Sequence, residues 1–369
     1  MEARELIRSA AAAAAAGAAA SPPALHDLSC VIHLHSTYSD GTASVEEIVD
    51  AARRAGTDVV MLTDHDTLGA RDDGWEGWHD GVLLLVGTEV SPRGGHYLAF
   101  GVDQPPSNAA GEQAIPAAVQ AAGGFGFAAH PFSEGSRMSK RIGKPHGWPQ
   151  RGLAGLTGIE LWSLTTDAAE SWRHPLQAIA YMRDPEAYLD GPPQHHLTAW
   201  DELCAARRVV AVGGLDTHQH GFRVRGRMVT PMPNERYFRL LSTHVLCERP
   251  PARELAADAE AVYGALRAGR CYLGVDAIAP TRDFRFWAEG DAGLALMGEE
   301  RPAGEWWMRA HLPAPGELRL LRDGEVVAMR EGTEIEHPAT AAGVYRIEAR
   351  REFRGRLRPW IYSNPIYLR

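Results

Sequence analysis

From about residue 26 to about residue 285 the chain alternates short apolar runs with amphipathic stretches. VIHLH (31–35), DVVMLTDHD (58–66), VLLLVGTEV (82–90), HYLAF (96–100), FGFAAHP (125–131), GIELW (158–162) and VVAVGGLD (209–216) read as strands. Between them lie helical patterns. SVEEIVDAARRAG (44–56) opens on a capping box, Ser44 with Glu47, and carries an apolar stripe of Ile48, Val49, Ala52 and Ala55. Gly56 ends it, as a residue free to adopt a left-handed conformation does. Residues 115–122, HLTAWDELCAARR (196–208) and 250–269 read as further helices, the second with Leu197, Trp200, Leu203 and Cys204 on its inner face. CYLGVD then returns to a strand.

The strand-like runs share one feature: a polar, chemically capable residue at or just past the C-terminal end. His65, Glu89, His130, Glu160 and Asp216 all sit this way. Parallel strands covered by helices gather their C-terminal loops at one face. The pattern therefore predicts an α/β barrel whose mouth collects residues far apart in sequence. Residues 131–151 and 219–235 lack periodicity, are rich in Gly, Lys and Arg, and read as long loops over that mouth. Beyond about residue 300, WWMRAHL, GELRLLRDGEVVAM, GVYRIEARRE and PWIYSNPIYL alternate with period two, and RDGE is a hairpin signal. The expected division is an Ala-rich helix or tail over 1–25, a barrel over 26–290 and a small β-sandwich over 300–369.

Composition narrows the function. The 369 residues are 45% hydrophobic and 23% charged, as in a folded globular protein. A net charge of -9 argues against holding a nucleic-acid backbone by bulk electrostatics. No stretch has the length and hydrophobicity of a membrane span. Cys30, Cys204, Cys247 and Cys271 are widely spaced and form no CxxC pair, so they read as buried free thiols and the expected compartment is the reducing cytoplasm. The first residues mix Glu2 and Glu5 with Arg4 and Arg8, unlike a secretory leader.

The candidate chemistry is carried by imidazoles and carboxylates. His33 and His35, two apart, would share one side of a strand. Asp40 follows in a Ser-Asp-Gly turn, then His65 with Asp64 and Asp66 beside it, Glu89, His96, His130, and Asp216 with His218. Such donors suit Mn²⁺, Fe²⁺ or Zn²⁺. Glu89 ends an apolar run, where a carboxylate is costly unless paired or bound to metal, and is the natural bridge between two ions. Asp64, Asp66 and Glu160 are expected as supporting groups that fix imidazoles or brace loops. There is no GxSxG elbow and no cysteine with an evident base. A hydroxide generated on divalent ions is therefore the expected nucleophile. Arg137, Lys140, Arg141, Lys144 and His146 of the first loop, with Arg223, Arg225, Arg227 and His220 of the second, are the candidates for holding a phosphate or carboxylate. Trp75, Trp78, Trp148 and Trp162 are candidates for an aromatic lining.

HLHSTYSDG, LTDHD, Glu89, His96, AHP and DTH, in this order, resemble the successive motifs of the PHP (polymerase and histidinol phosphatase) superfamily. The resemblance implies a distorted (β/α)7 barrel with a trinuclear metal centre. It implies a first ion on His33, His35, Glu89 and Asp216, a second on Glu89, His96 and His130, and a third on Asp40, His65 and His218. The ending PWIYSNPIYLR resembles the carbaryl-hydrolase-like (CehA/McbA-type) branch, which joins such a barrel to a small β-domain. The expected activity is hydrolysis of a small phosphate ester or nucleotide, with Glu89, Asp216 and His218 at the chemical step. Hydrolysis of an aryl ester or carbamate at the same centre, and single-strand nuclease activity, are the alternatives.

Overall fold

A computed structural model describes residues 24–109, 111–138, 144–148, 155–224 and 227–369, without the side chains of 222–229. The expected N-terminal helix or tail lies almost wholly outside these residues.

The strand His26–Ile32 stands inside one sheet, parallel to Val59–Leu62, which is parallel to Val82–Val86. On its other side it pairs antiparallel with Ser242–Cys247, itself antiparallel to Cys271–Gly274. A second sheet runs Thr88–Val90, Tyr97–Phe100, Phe125–Ala128, Gly158–Ser163, Val210–Gly214. Its first two pairings are antiparallel and its last two parallel. Ile32, Met61 and Leu85 from the first sheet share a wholly buried core with Leu98, Phe127 and Val212 from the second.

The expected barrel is thus an α/β fold of two sheets. The run VLLLVGTEV is two strands that belong to different sheets, and the break falls at Gly87. A Cβ there would lie 2.4 Å from the Phe100 ring and 2.5 Å from the Ala99 carbonyl, so only glycine lets the chain cross. Val90 and Tyr97 are joined by a connection too short for a crossover helix, and the strands it joins are therefore antiparallel. The sheets meet at the rim through backbone hydrogen bonds. On one side Leu215 N donates to Ile32 O at 2.9 Å, Asp216 N to His33 O at 2.7 Å and His35 N to Thr217 O at 3.0 Å. On the other, Gly87 N donates to Leu62 O at 2.8 Å and Glu89 N to Asp64 O at 3.2 Å. These ties bring the ends of both sheets, and the polar residues on them, to one place.

Four helices fall where the sequence places them, whereas Gly69–Asp72, Leu164–Ser171, Pro175–Arg183 and Asn234–Phe238 were not expected. Val45–Ala55 has both halves of the capping box, and Gly56 closes it at φ 79°. Gln194–Ala206 buries Leu197, Trp200 and Cys204, and Leu255–Ala268 ends on Gly269 at φ 75°. The C-terminal strands begin at Arg285, earlier than expected, and pair antiparallel. They continue the first sheet, because Tyr272–Gly274 pairs with Ile361–Ser363. The RDGE turn has Asp323 and Gly324 both at positive φ, as a tight hairpin requires. All four cysteines are free and buried. No helix among the described residues is long and apolar enough to cross a membrane.

Candidate metal centre

Glu89 is the hub. Its strand Thr88–Val90 is fully buried, and the carboxylate is 1% exposed. Its Oε1 lies 2.8 Å from His96 Nδ1 and 3.2 Å from His130 Nε2. Its Oε2 lies 3.3 Å from both His33 Nε2 and His35 Nε2, and 3.2 Å from His65 Nδ1. Asp216 Oδ1 approaches His33 Nε2 at 3.4 Å and His35 Nε2 at 3.6 Å. Asp40 Oδ1 approaches His218 Nε2 at 3.2 Å and His65 Nε2 at 3.6 Å. All nine residues expected as ligands are therefore brought together. They fall into four overlapping groups whose donor atoms lie within 4.8 Å of one another.

The local backbone differs from the expected one. The first strand ends at Ile32, so simple alternation does not place His33 and His35. His33 is instead at φ 65°, His130 at φ 28° and Asp216 at φ 48°. Non-glycine residues in this region are strained, and such strain concentrates at functional sites. Glu160 helps to hold two of them. Its Oε1 accepts from His33 Nδ1 at 2.8 Å and its Oε2 from the His130 backbone N at 2.6 Å. The first bond puts the His33 proton on Nδ1 and leaves Nε2 facing Glu89 and Asp216. Glu160 lies inside the strand Gly158–Ser163 rather than at its end.

Asp64 and Asp66 act at one remove. Asp64 accepts from Ser36 N at 2.8 Å and from the Ser36 and Ser39 hydroxyls at 2.6 Å each, folding the turn between His35 and Asp40. Asp66 accepts from Ser91 N at 3.0 Å, and the Ser91 hydroxyl meets His65 Nδ1 at 2.7 Å.

Burial pushes the His35 imidazole down, but Asp216 and Glu89 outweigh it and hold it up at about 9. Burial raises Glu89, yet His33, His96 and His130 hold its carboxyl well below the usual range. Even so, His33 Nε2, both ring nitrogens of His35, Glu89 Oε2 and His130 Nδ1 are buried with no hydrogen-bond partner. Buried polar atoms are rarely left so. A divalent cation satisfies converging nitrogen and oxygen donors of this kind and takes the place of the protons that otherwise hold the cluster together. The residues present fit such a group.

A cavity of about 570 Å³ opens over the cluster. Lys144, His146 and His220 line it. His146 stands 4.5 Å from the His96 ring, and burial, then His96 and His130, push it down to about 4. His220 stacks 5.0 Å from His218. Arg137 is exposed, reaches Glu134 at 3.9 Å and does not line the cavity. Lys140, Arg141 and Arg225 lie outside the described residues, as do the side chains of Arg223 and Arg227.

The aromatic lining also differs from expectation. Trp75, Trp78, Trp148 and Trp162 do not line the cavity. Trp162 is core, and Trp148 donates from Nε1 to the His96 carbonyl at 2.9 Å. Trp172, Tyr181, Met182, Met232 and Tyr237 line it instead. Sequence reasoning also missed Thr166, whose hydroxyl donates to Asp216 Oδ2, and Glu170, which accepts from Glu134 N at 3.0 Å and Gly135 N at 2.9 Å. Their one signal was position, in LTTDAAES directly after a site strand.

Fold and site together define an α/β protein with a pocket built to hold metal. Residues 32–138 match the family model described as the PHP domain, and seven of the nine clustered residues lie in that stretch. Two curated proteins share short segments with the chain. One is a 5'-3' exoribonuclease of Haemophilus influenzae, 36% identical over 78 residues, or 20% of this chain and 28% of that protein. The other is a phosphoribosyl 1,2-cyclic phosphate 1,2-diphosphodiesterase of Eggerthella lenta, 34% identical over 80 residues, or 20% of this chain and 30% of that one. The chain thus matches less than a third of the length of either. Among solved structures, a Bacteroides vulgatus two-domain protein containing a predicted PHP-like metal-dependent phosphoesterase aligns at TM-score 0.45 and 16% identity, over 92% of this chain and 95% of that one. A candidate metal-dependent phosphoesterase from Bifidobacterium adolescentis aligns at TM-score 0.35 and 19% identity, over 56% and 91%.

Proposed function

We propose that the chain is a metal-dependent hydrolase, specifically a phosphoesterase acting on a small phosphate ester. The observation that carries this reading is the convergence of buried imidazole nitrogens of His33, His35 and His130, without hydrogen-bond partners, around Glu89, whose Oε2 is likewise unpartnered, beside an open cavity. The resemblance implies three ion positions, on His33, His35, Glu89 and Asp216, on Glu89, His96 and His130, and on Asp40, His65 and His218; the donor group His35, Asp40, His65 and His218 supports the last of these. Divalent ions held there would lower the pKa of water and neutralise charge developing on the phosphoryl oxygens.

The chain's own residues orient the rest. Glu160 fixes the His33 tautomer, and Thr166 holds one oxygen of Asp216 so that the other faces His33 and His35. Lys144 supplies positive charge at the cavity for a phosphoryl oxygen. His146 and His220 line the cavity and can donate hydrogen bonds to the ester, and His218 stands between Asp40 and Asp216.

The test is turnover of p-nitrophenyl phosphate by protein loaded in turn with Mn²⁺, Fe²⁺ and Zn²⁺, with bound metal counted. Turnover is expected, and loss by at least about a hundredfold in His65→Ala and Asp216→Asn. No turnover with any of the three ions overturns the reading. Faster cleavage of aryl carboxyl esters or carbamates, or of single-stranded oligonucleotides, would reassign the same centre to those reactions.

A further inference from the structure

We propose that the apolar wall of the cavity beside the metal-binding cluster is a preformed subsite for a planar aromatic group of the substrate, stitched together by Arg236 as a positioning residue. This rests on the phosphoesterase reading and names its substrate class: an aryl or arylalkyl phosphate rather than a sugar or polyanionic phosphate.

The cavity is far larger than a phosphoryl group needs. Pockets of about 300–1,000 Å³ with apolar and aromatic walls hold whole organic ligands, and this one is about 570 Å³. Its lining joins the clustered imidazoles and carboxylates to an apolar wall. The wall is Trp172, Tyr181, Met182, Met232 and Tyr237. The Trp172 and Tyr181 rings stand 5.5 Å apart, inclined at 55°, with Tyr181 buried and Trp172 partly buried against the core. Two thioethers and three rings make a surface that grips a flat apolar group. Away from the metal ligands, the charged groups among the described lining residues are Lys144 and Glu170, one of each sign, so the lining offers no cluster of cations for a second phosphate.

The wall comes from two separate segments. Trp172, Tyr181 and Met182 belong to residues 172–182; Met232 and Tyr237 belong to the stretch around the helix Asn234–Phe238. Arg236, on that helix, joins them. Its Nη1 donates to the Met182 carbonyl at 2.9 Å, and its Nη2 to the Arg183 carbonyl at 3.0 Å and to Glu186 at 3.2 Å. A wall fixed before binding loses less freedom when the ligand arrives.

The experiment is calorimetric binding of benzylphosphonate and methylphosphonate to the metal-loaded protein, with adenosine 5′-phosphonate as a nucleoside arm. A benzyl preference of at least about tenfold over methyl is expected, from the apolar area a phenyl ring buries. In Trp172→Ala and in Arg236→Ala the benzyl-to-methyl ratio should fall to about twofold, while Trp172→Phe retains most of it. Should either alanine variant fail to fold, Met182→Ala replaces it and the same fall in ratio is read. Equal affinity for benzyl and methyl in the wild type, or a ratio untouched by the alanine variants, overturns the subsite. Tightest binding of the nucleoside compound assigns the wall to a nucleobase instead and overturns the aryl assignment. Benzyl alcohol, followed by ligand-observed NMR, keeps the two readings apart. If it binds and Trp172→Ala abolishes the signal, the subsite stands even where no phosphate ester is cleaved. If it gives no signal, the subsite falls even where phosphate esters are cleaved.

Discussion

Glu160 shows how much of a site can rest on one buried side chain outside it. It touches neither the cavity nor the Glu89 hub, yet it sets the tautomer of His33 and holds the His130 backbone. Loss of such an outer partner costs about 10–100-fold in metal affinity. Glu160→Gln should therefore weaken metal binding by that order in a chelator competition, with the fold intact by circular dichroism. Gly214 gives an independent check. A Cβ at this position would stand 1.9 Å from Glu160 Oε1, so Gly214→Ala should reproduce the metal-affinity loss without altering any polar group. Retention of full metal affinity by both variants would remove Glu160 from the site. The clustered residues themselves were legible because imidazoles and carboxylates beside apolar runs are too costly to be there without a purpose. The apolar wall was not legible: Tyr181 and Met182 on a short helix look like ordinary core, and the eye goes to tryptophans that the fold spends on packing. Neither was the backbone of His33, His130 and Asp216, since positive φ leaves no trace in non-glycine sequence.

At the scale of elements, the amphipathic helices, above all the capped Val45–Ala55, were readable from local chemistry, whereas the uncapped Leu164–Ser171, Pro175–Arg183 and Asn234–Phe238 and the membership of the sheets were not. Val82–Val86 and Thr88–Val90 form one apolar run, and only the clash that a side chain at Gly87 would make with Phe100 separates them. The same holds for the partners of His26–Ile32, which are decided across the sheet. Asp27 on that strand accepts from His244 Nδ1 at 2.7 Å on the neighbouring strand and from the Tyr272 hydroxyl at 2.7 Å on the next. His244 Nε2 also faces Asp276 at 3.3 Å. Burial pushes His244 down, but the bonds to Asp27 and Asp276 outweigh it and hold it up at about 9. Burial raises Asp276, yet His244 and Thr281 bring it down to about 2. Linkage fixes the sign. The His244 contribution is complete below its unfolded pKa near 6.5 and is lost as pH rises through about 9. The Asp276 contribution is complete above 3.8 and is lost as pH falls through about 2. Metal-free protein should accordingly lose stability to denaturant between about pH 7 and 9. His244→Gln should flatten that limb. An unchanged slope would mean that the network is not charged in the folded state.

Across the whole molecule, the C-terminal strands bear on the site through buried charge. Arg346, on the strand Gly343–Phe353, has a side chain only 2% exposed. It reaches Asp201 on the helix Gln194–Ala206 at 2.7 and 2.8 Å, and Glu348 at 2.6 Å. Nearby, Arg354 grips Asp184 and Arg358 donates to Asp190 and to the Ala187 carbonyl, so the segment following the cavity wall is held from the C-terminal side. Removing one member of a buried ionic group leaves the others without compensation, at a cost of about 3–5 kcal/mol. Arg346→Ala should be destabilised by that amount in chemical denaturation. If the penalty comes from stranded carboxylates rather than from lost packing, Arg346→Met combined with Asp201→Leu and Glu348→Leu should recover most of it, since apolar replacement of a whole buried ionic group is often neutral or stabilising. The triple variant then separates two roles that the single variant confounds. Recovery of stability together with a weakened benzyl preference would show that these charges specify where the wall stands. Recovery of both would reduce them to filling space, and a single variant within 1 kcal/mol of wild type would mean that the arginine contributes nothing to the joint.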